Sequence, residues 1–308
     1  MKKTLKLLML MGIIALEINF TEVKAETATV DVTTAHQEAI TTPETTTPEG
    51  AETTTQEITT EEPTTKPNVD TTGKAVKKGG YVKKKVFAYN LKLEKVTKVS
   101  KGVRYYVYKR CNNGHSLLKV GNRKLLVESK YITYKCNAKK IVNTLDKKYS
   151  YADMKSDLKK LEKSYGSILQ VDIAGKSLDK RNLYYVTLGN FKAKKTIYVE
   201  TSVHAREYMN TKLIMKVIED YCRGYDTKKY KGKKYSKIFN KVKVVIMPMV
   251  NPDGVDLVTG NILPSSSAYN QAKYIANNYP DIPFSSGWKA NIRGVDLNLQ
   301  FPARMGTS

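Results

Sequence analysis

Histidine is scarce in this chain: the 308 residues contain three, and none follows His204. His36 falls in a low-complexity segment, and His115 falls in what reads as a separate small module. A metal site built from several neighbouring histidines is therefore excluded. Any site that uses His204 must take its other ligands from other residue types or from an unusual position.

Cysteine and long apolar runs are also rare. Three cysteines do not make a disulfide framework. Cys111 and Cys136 could pair and leave Cys222 over, or all three could be free. The one extended apolar run, residues 7–16, is too short to span a membrane comfortably. With basic residues before it and Val23-Lys24-Ala25 after it, residues 1–25 are expected to be a secretory signal peptide.

The next segment, residues 26–74, has too little apolar surface to fold. Residues 26–73 hold 18 Thr and 10 acidic side chains against one basic residue, Lys66. We expect a disordered Thr/Glu-rich linker. Residues 74–308 then carry a net charge of +31, given +24 for the whole chain, +2 for residues 1–25 and −9 for residues 26–73. Such a charge favours polyanionic partners. A general bias of the sequence toward lysine would explain the charge equally well.

Residues 75–137 alternate apolar and polar positions and break at Asn112-Asn113-Gly114 and Gly121-Asn122, which predicts a small β-barrel. The predicted strands cover residues 81–93, 102–109, 116–120 and 124–127. The stretch Lys101-Gly102-Val103-Arg104-Tyr105-Tyr106-Val107-Tyr108 and the strands after it resemble a bacterial Src-homology-3-like cell-wall module. The resemblance implies a cell-wall-binding module.

Residues 138–308 change to alternating helices and strands, which predicts an α/β mixed sheet with flanking helices. Ser150-Tyr151-Ala152-Asp153 is a helix-capping sequence. Strands are predicted at residues 168–174, 183–188, 196–203 and 244–250, and a second helix around residues 213–221.

Three segments that carry potential metal-binding or catalytic side chains follow successive predicted elements. They are His204-Ala205-Arg206-Glu207, Asn251-Pro252-Asp253-Gly254, which is typical of a turn, and the stretch from Trp288 to Pro302. Ligands bind beyond the carboxyl ends of strands in open α/β sheets, so a site is expected where these segments meet. A histidine and a carboxylate three residues apart can both turn toward one zinc ion.

In order and spacing, these three segments resemble the zinc metallocarboxypeptidase family over about residues 148–303. The resemblance implies that His204 and Glu207 bind Zn2+ and that Asn298 holds the substrate. It also implies that a cation, Lys289 or Arg293, faces the scissile carbonyl and stabilises the oxyanion. Both cations stay open as candidates.

The phrase Gly294-Val295-Asp296-Leu297-Asn298-Leu299-Gln300 is similar to the family's bacterial branch that cleaves γ-D-glutamyl–diaminopimelate bonds in peptidoglycan stem peptides. Leu299 replaces the arginine with which other members grip a terminal carboxylate. The expected substrate is therefore a peptide or muropeptide, and the expected location is secreted and cell-wall associated. The anionic cell wall is the expected partner, with no nucleic acid and no membrane span after signal removal.

In the family, a third zinc ligand and a general-base glutamate lie well after the position of Asn298. We therefore expect residues 138–308 to be a truncated zinc peptidase domain and the chain as it stands to be inactive. The alternative is a non-catalytic cell-wall-binding protein; a charge-driven secreted adhesin or nucleic-acid scavenger is a more distant reading.

Overall fold

A computed structural model describes residues 68–300 of the chain. The expected signal peptide, residues 1–25, and almost all of the expected linker, residues 26–74, lie outside the described residues. Residues 301–308 lie outside them as well. Within the described range, no helix is long and apolar enough to cross a membrane.

The first part of the described chain is a seven-stranded antiparallel β-sheet that wraps around its own core, and we call this sheet the barrel. Its strands are β1 (Gly73–Val82), β2 (Val86–Tyr89), β3 (Lys95–Val99), β4 (Arg104–Cys111), β5 (His115–Val120), β6 (Arg123–Glu128) and β7 (Ile132–Thr133). Their order is β3-β2-β6-β5-β4-β1-β7. The alternation of apolar residues places Val82, Val107, Leu118 and Val127 inside, all with 0% exposure.

One detail of this sheet differs from the sequence expectation, and the structure has one of the two alternatives left open for the cysteines. Residues 81–93 are not one strand, because residues 83–85 form a turn between β1 and β2. Three consecutive lysines there favour exposure over continued pairing. The cysteines are free thiols: Cys111 is buried beside Leu117 and Leu126, whereas Cys136 lies against Tyr165.

The second part alternates helices and strands, as the sequence predicts. Its elements are α1 (Tyr151–Tyr165), β8 (Leu169–Lys176), β9 (Asn182–Leu188), β10 (Lys195–Glu200), α2 (Tyr208–Gly224), β11 (Lys229–Tyr230), β12 (Lys233–Lys234), α3 (Tyr235–Phe239), β13 (Val242–Met247), α4 (Pro252–Thr259) and α5 (Ser267–Ala276). Helix α1 begins with the predicted capping box, in which Ser150 and Asp153 exchange hydrogen bonds.

Strands β8, β9, β10 and β13 form one mixed sheet, in the order β10-β13-β9-β8. Strands β10 and β13 run parallel, whereas β13, β9 and β8 pair antiparallel. The carboxyl ends of the parallel pair therefore meet at one edge. Helices α1 and α2 pack their apolar faces on this sheet, burying Leu158, Leu161, Met215 and Ile218 almost completely.

One predicted turn is instead the start of a helix. Asn251 is the N-cap of α4, its side chain accepting a hydrogen bond from the backbone of Gly254, and Pro252 is the first helical residue. Asparagine and proline favour these two helix positions as strongly as they favour turns, so the local sequence does not separate the two structures.

Candidate metal centre

His204 and Glu207 lie just beyond the carboxyl end of β10, on the side of the sheet where β13 also ends. A 3₁₀ turn over Ala205–Glu207 brings the two side chains together, with Nδ1 of His204 2.7 Å from Oε1 of Glu207. The other carboxylate oxygen lies 3.4 Å from the backbone nitrogen of His204. The side chains are 19% and 38% exposed, so the pair is held by the fold and still open to solvent.

The turn that aims His204 is built around Ser202. This residue is fully buried and has a φ of +53°, a left-handed conformation that is unfavourable for a residue with a side chain. Its hydroxyl donates to the carbonyl of Glu207 at 2.7 Å and lies 2.7 Å from the Thr211 hydroxyl. These bonds offset the strain and fold the chain back after β10.

Asp296 connects this pair to the third segment. Its Oδ1 lies 3.3 Å from Nε2 of His204, and its Oδ2 accepts a hydrogen bond from the Lys289 ammonium at 2.9 Å. The hydrogen bond from Lys289 holds the pKa of Asp296 below its ordinary value. Nε2 of His204 is buried and lies outside hydrogen-bond geometry despite its short distance to Asp296.

The remaining residues suggested by the sequence lie nearby but are differently placed. Lys289 is joined to His204 through Asp296, whereas Arg293 is exposed in a turn shaped by Asn291. Asn298 is exposed, and its backbone nitrogen donates to Asp296 at 3.0 Å. Of the two candidate cations, Lys289 is the one linked to the His204–Glu207 pair.

The three segments are tied together by backbone contacts. The nitrogen of Ala205 donates to the carbonyl of Lys289 at 2.9 Å, and the side chain of Asn251 donates to the carbonyl of Ala290 at 3.1 Å. A Cβ on Gly254 would lie 2.8 Å from both the Ala205 Cβ and the Ala290 oxygen. A glycine is therefore needed where the segments come closest.

A buried ionic network supports the start of α4 from the other side. Arg181, between β8 and β9, donates to Asp253 at 2.9 Å and to Asp256 at 3.0 Å. Asp253 also accepts from the Ser177 hydroxyl at 2.7 Å and the Asp179 nitrogen at 3.0 Å. Burial raises the pKa of Asp256 even though Arg181 opposes the shift. Because both carboxylates are paired, this network is structural support for the Asn251 segment.

Sequence reasoning missed Asp296 as a part of the site. It stands two residues before Asn298 in the chain, but no spacing rule links it to His204, which is 92 positions earlier. The one available signal was a carboxylate inside the third segment, since metal-binding histidines commonly place a carboxylate on their second ring nitrogen.

The residues present fit part of a zinc site. An imidazole nitrogen and a carboxylate oxygen are both zinc donors, they converge here, and the second ring nitrogen of His204 faces a carboxylate. Among residues 68–300, however, no group of three or more His, Cys, Asp or Glu side chains is arranged to hold a metal. His204 and Glu207 could therefore supply two ligands, and residues 68–300 offer no third one grouped with them.

Two curated proteins are similar to about half of the chain. "Gamma-D-glutamyl-L-diamino acid endopeptidase 1" of Lysinibacillus sphaericus is 38% identical over 157 residues, covering 51% of this chain and 38% of that protein. An uncharacterized protein of Bacillus subtilis (strain 168), YqgT, is 30% identical over 159 residues, covering 51% of this chain and 41% of that protein. The chain thus spans about two fifths of the length of these relatives.

Among solved structures, a metallo-carboxypeptidase from Burkholderia cenocepacia superposes on 53% of this chain and 41% of its own, with 16% identity and a TM-score of 0.31. The family model described as "Zinc carboxypeptidase" matches residues 154–308, which include His204, Glu207, Lys289, Asp296 and Asn298. That match covers half of the sequence, and the chain belongs to the zinc carboxypeptidase family.

Proposed function

We propose that this chain carries part of the active site of a zinc peptidase that cleaves γ-D-glutamyl–diamino acid bonds in peptidoglycan stem peptides. The observation that carries the proposal is the convergence of His204 Nδ1 and Glu207 Oε1 at 2.7 Å, in a partly exposed position. The name of the Lysinibacillus sphaericus relative supports the substrate class. Zinc, when bound, polarises the scissile carbonyl and activates water.

In this proposal the residues of the chain have separate tasks. His204 and Glu207 hold the metal together with a ligand from outside residues 68–300, and Asp296 orients the His204 ring. Lys289 rather than Arg293 stabilises the negative charge that develops on the substrate, because Lys289 adjoins the pair. Asn298 binds the substrate backbone. We further propose that the protein is exported and associated with the anionic cell wall.

The metal assignment is tested by zinc content. A form of the protein that binds stoichiometric zinc is loaded with the metal, dialysed and analysed for bound zinc, beside its His204→Ala, Glu207→Ala and matched control His115→Ala variants. We expect each of the first two changes to remove stoichiometric zinc, because each variant loses one of the two ligands that the described residues supply in this proposal. His115 lies in the barrel beside Asn113, so its loss should leave zinc content unchanged. Tight zinc retained in both ligand variants would show that the metal binds elsewhere.

The substrate class is tested separately, with muropeptides that carry the D-glutamyl–diamino acid bond and with ordinary peptides that have free C-termini. Hydrolysis of the muropeptide bond that disappears in His204→Ala supports the peptidase proposal.

A second candidate function is a non-catalytic wall-binding protein. It is favoured by the lack of a complete metal-binding group among residues 68–300 and by the strong positive charge of the barrel, residues 74–137. Binding of the full chain to purified walls, with no hydrolysis and no stoichiometric zinc, would select this candidate over the peptidase.

A further inference from the structure

The barrel carries an unusual share of the positive charge. Residues 74–137 contain 18 basic and 2 acidic side chains, a net +16, which equals about half of the +31 carried by residues 74–308. In the described structure, two of the 18 basic residues make an ion pair: Arg104, buried against Asp226, and Lys130, paired with Glu128. The other barrel lysines leave their charge unneutralised.

Several of these lysines gather at one end of the barrel, where the β1–β2 turn meets the end of β3. Strands β2 and β3 pair with Val86 opposite Val99, which brings residues 83–85 beside Lys101. The backbone of Lys83 also bonds to Tyr131 at 2.9 Å. We call this region the basic end. Its members are Lys83, Lys84, Lys85, Lys98, Lys101 and Lys130, all of them exposed. We include Lys95, which is also exposed, because its ammonium group reaches the Phe87 ring from the start of β3.

Two aromatic rings in the basic end each hold a pair of lysines. The ammonium groups of Lys84 and Lys130 lie 4.7 Å and 5.0 Å from the centre of the Tyr131 ring. Those of Lys95 and Lys98 lie 4.9 Å and 4.8 Å from the centre of the Phe87 ring. Cation–π contacts hold the ammonium groups in place. Glu128 neutralises Lys130, whereas Lys95 and Lys98 form no ion pair among the described residues, so their like charges repel each other. A bound anion relieves that repulsion without displacing the lysines.

We propose that the basic end binds a phosphodiester-linked anionic polymer of the cell wall. Charge complementarity selects a polyanion, and a lysine ammonium contacts phosphate as a point charge. The rings argue against single-stranded nucleic acid, whose bases bind by stacking on free aromatic faces. Here the faces of Phe87 and Tyr131 are occupied by ammonium groups, so the ligand is a polymer that offers phosphates and no bases. The inference is independent of peptidase activity.

Binding of the full chain to poly(glycerol phosphate) tests the proposal, measured by titration calorimetry over a range of salt concentrations. In Lys84→Gln/Lys95→Gln/Lys98→Gln, affinity near 0.1 M salt should fall about tenfold. The slope of log affinity against log salt should drop by about 3, one unit for each lysine that no longer neutralises a phosphate. The matched control is Lys155→Gln/Lys159→Gln/Lys163→Gln, which removes the same charge from exposed positions of α1. It should stay within about twofold of the wild-type affinity.

Three outcomes overturn the proposal. Equal loss of affinity in the two triple variants would mean that net charge alone drives binding. Tighter binding of single-stranded DNA than of poly(glycerol phosphate), at equal phosphate concentration, would assign the surface to nucleic acid. Failure of Lys84→Arg/Lys95→Arg/Lys98→Arg to bind, although it keeps every charge, would exclude a charge-based site. Inorganic phosphate should compete only weakly, because one anion cannot span several lysines.

Discussion

At the scale of single residues, Asp296 has the largest influence on the geometry of the candidate metal centre. It contacts Lys289, the backbone of Asn298 and the ring of His204 through one carboxylate. It thereby joins Lys289 and the Asn298 loop to His204, the proposed metal ligand. A carboxylate in this position fixes the orientation of a histidine ring and strengthens its metal-bound nitrogen as a donor.

Asp296→Asn should lower zinc affinity about 10- to 100-fold, the usual effect of losing such a supporting carboxylate. The amide keeps the shape of the side chain and removes its charge. Zinc affinity of the full chain, measured by competition with a chelator, gives the result. Asp281→Asn is the control, because it removes the same charge from an exposed residue. Equal affinities for Asp296→Asn and wild type would mean that Asp296 does not support the metal.

Leu299 bears on specificity at the same scale. Its apolar side chain has no donor that could hold a carboxylate. Because the side chain is 62% exposed beside Asn298, an arginine fits there without repacking. In a form of the protein that hydrolyses peptides, Leu299→Arg should shift the preference toward free C-termini. A charged hydrogen bond to the terminal carboxylate contributes about 1.5–3 kcal/mol. The ratio of rates on ordinary peptides and muropeptides measures the shift, and rapid trimming of plain peptides by the wild type would contradict the assignment.

At the scale of secondary-structure elements, the site depends on how closely the start of α4 approaches the 3₁₀ turn of Glu207 and the loop of Lys289. Gly254 lies at the centre of this approach, and Ala205, Trp288 and Ile292 pack in the apolar cluster beside it. The contact is tight because three atoms surround the position: the Asn251 amide nitrogen, the Ala205 Cβ and the Ala290 carbonyl oxygen. The Asn251 side chain is held by its hydrogen bonds to Ala290 and Gly254, so it cannot easily move aside.

Gly254→Ala should destabilise the protein by about 1–3 kcal/mol, the usual cost of overpacking a filled core. The midpoint of urea unfolding, followed by circular dichroism, measures the loss of stability. Gly175→Ala is the matched control, because a Cβ at Gly175 meets no atom within 4 Å. If the two variants unfold at the same urea concentration, the close approach at Gly254 is absent in solution.

At the scale of the whole described chain, the barrel and the α/β part are joined by a buried ion pair. The Arg104 guanidinium binds both oxygens of Asp226, at 2.8 Å and 3.0 Å, and donates to Ser167 at 2.7 Å. The side chain of Arg104 is 3% exposed, and a Cβ on Gly79 would lie 2.3 Å from the Asp226 carboxylate. Tyr81 of β1 also packs in the core of the α/β part. The barrel is therefore fixed in place rather than tethered.

Arg104→Met should destabilise the protein by about 3–5 kcal/mol, because it leaves the Asp226 carboxylate buried without its partner. Thermal unfolding should change from one cooperative transition to two, with the barrel released first. Lys130→Met breaks the exposed pair with Glu128 instead and should cost less than about 1 kcal/mol. Two separate transitions already present in the wild type would show that the barrel unfolds independently.

The sequence by itself determined the fold class and pointed to the three segments of the candidate site, but not to Asp296. Alternating apolar positions predicted the barrel strands, and the capping sequence at Ser150 predicted the start of α1, because both signals are local. The rule that parallel strands share an edge correctly brought the His204 and Asn251 segments together. The roles of Lys289, Asn298 and the zinc ligands remain predictions.

Only the tertiary structure decided the contacts that join distant parts of the chain. The proximity of Asp296 to His204, the linkage of Lys289 rather than Arg293, and the Arg104–Asp226 pair depend on residues far apart in the sequence. Asn251 and Pro252 suit a turn and a helix start equally, and packing against the Lys289 loop selected the helix. Periodicity reports which face of an element is buried; which partner covers that face depends on how the whole chain packs.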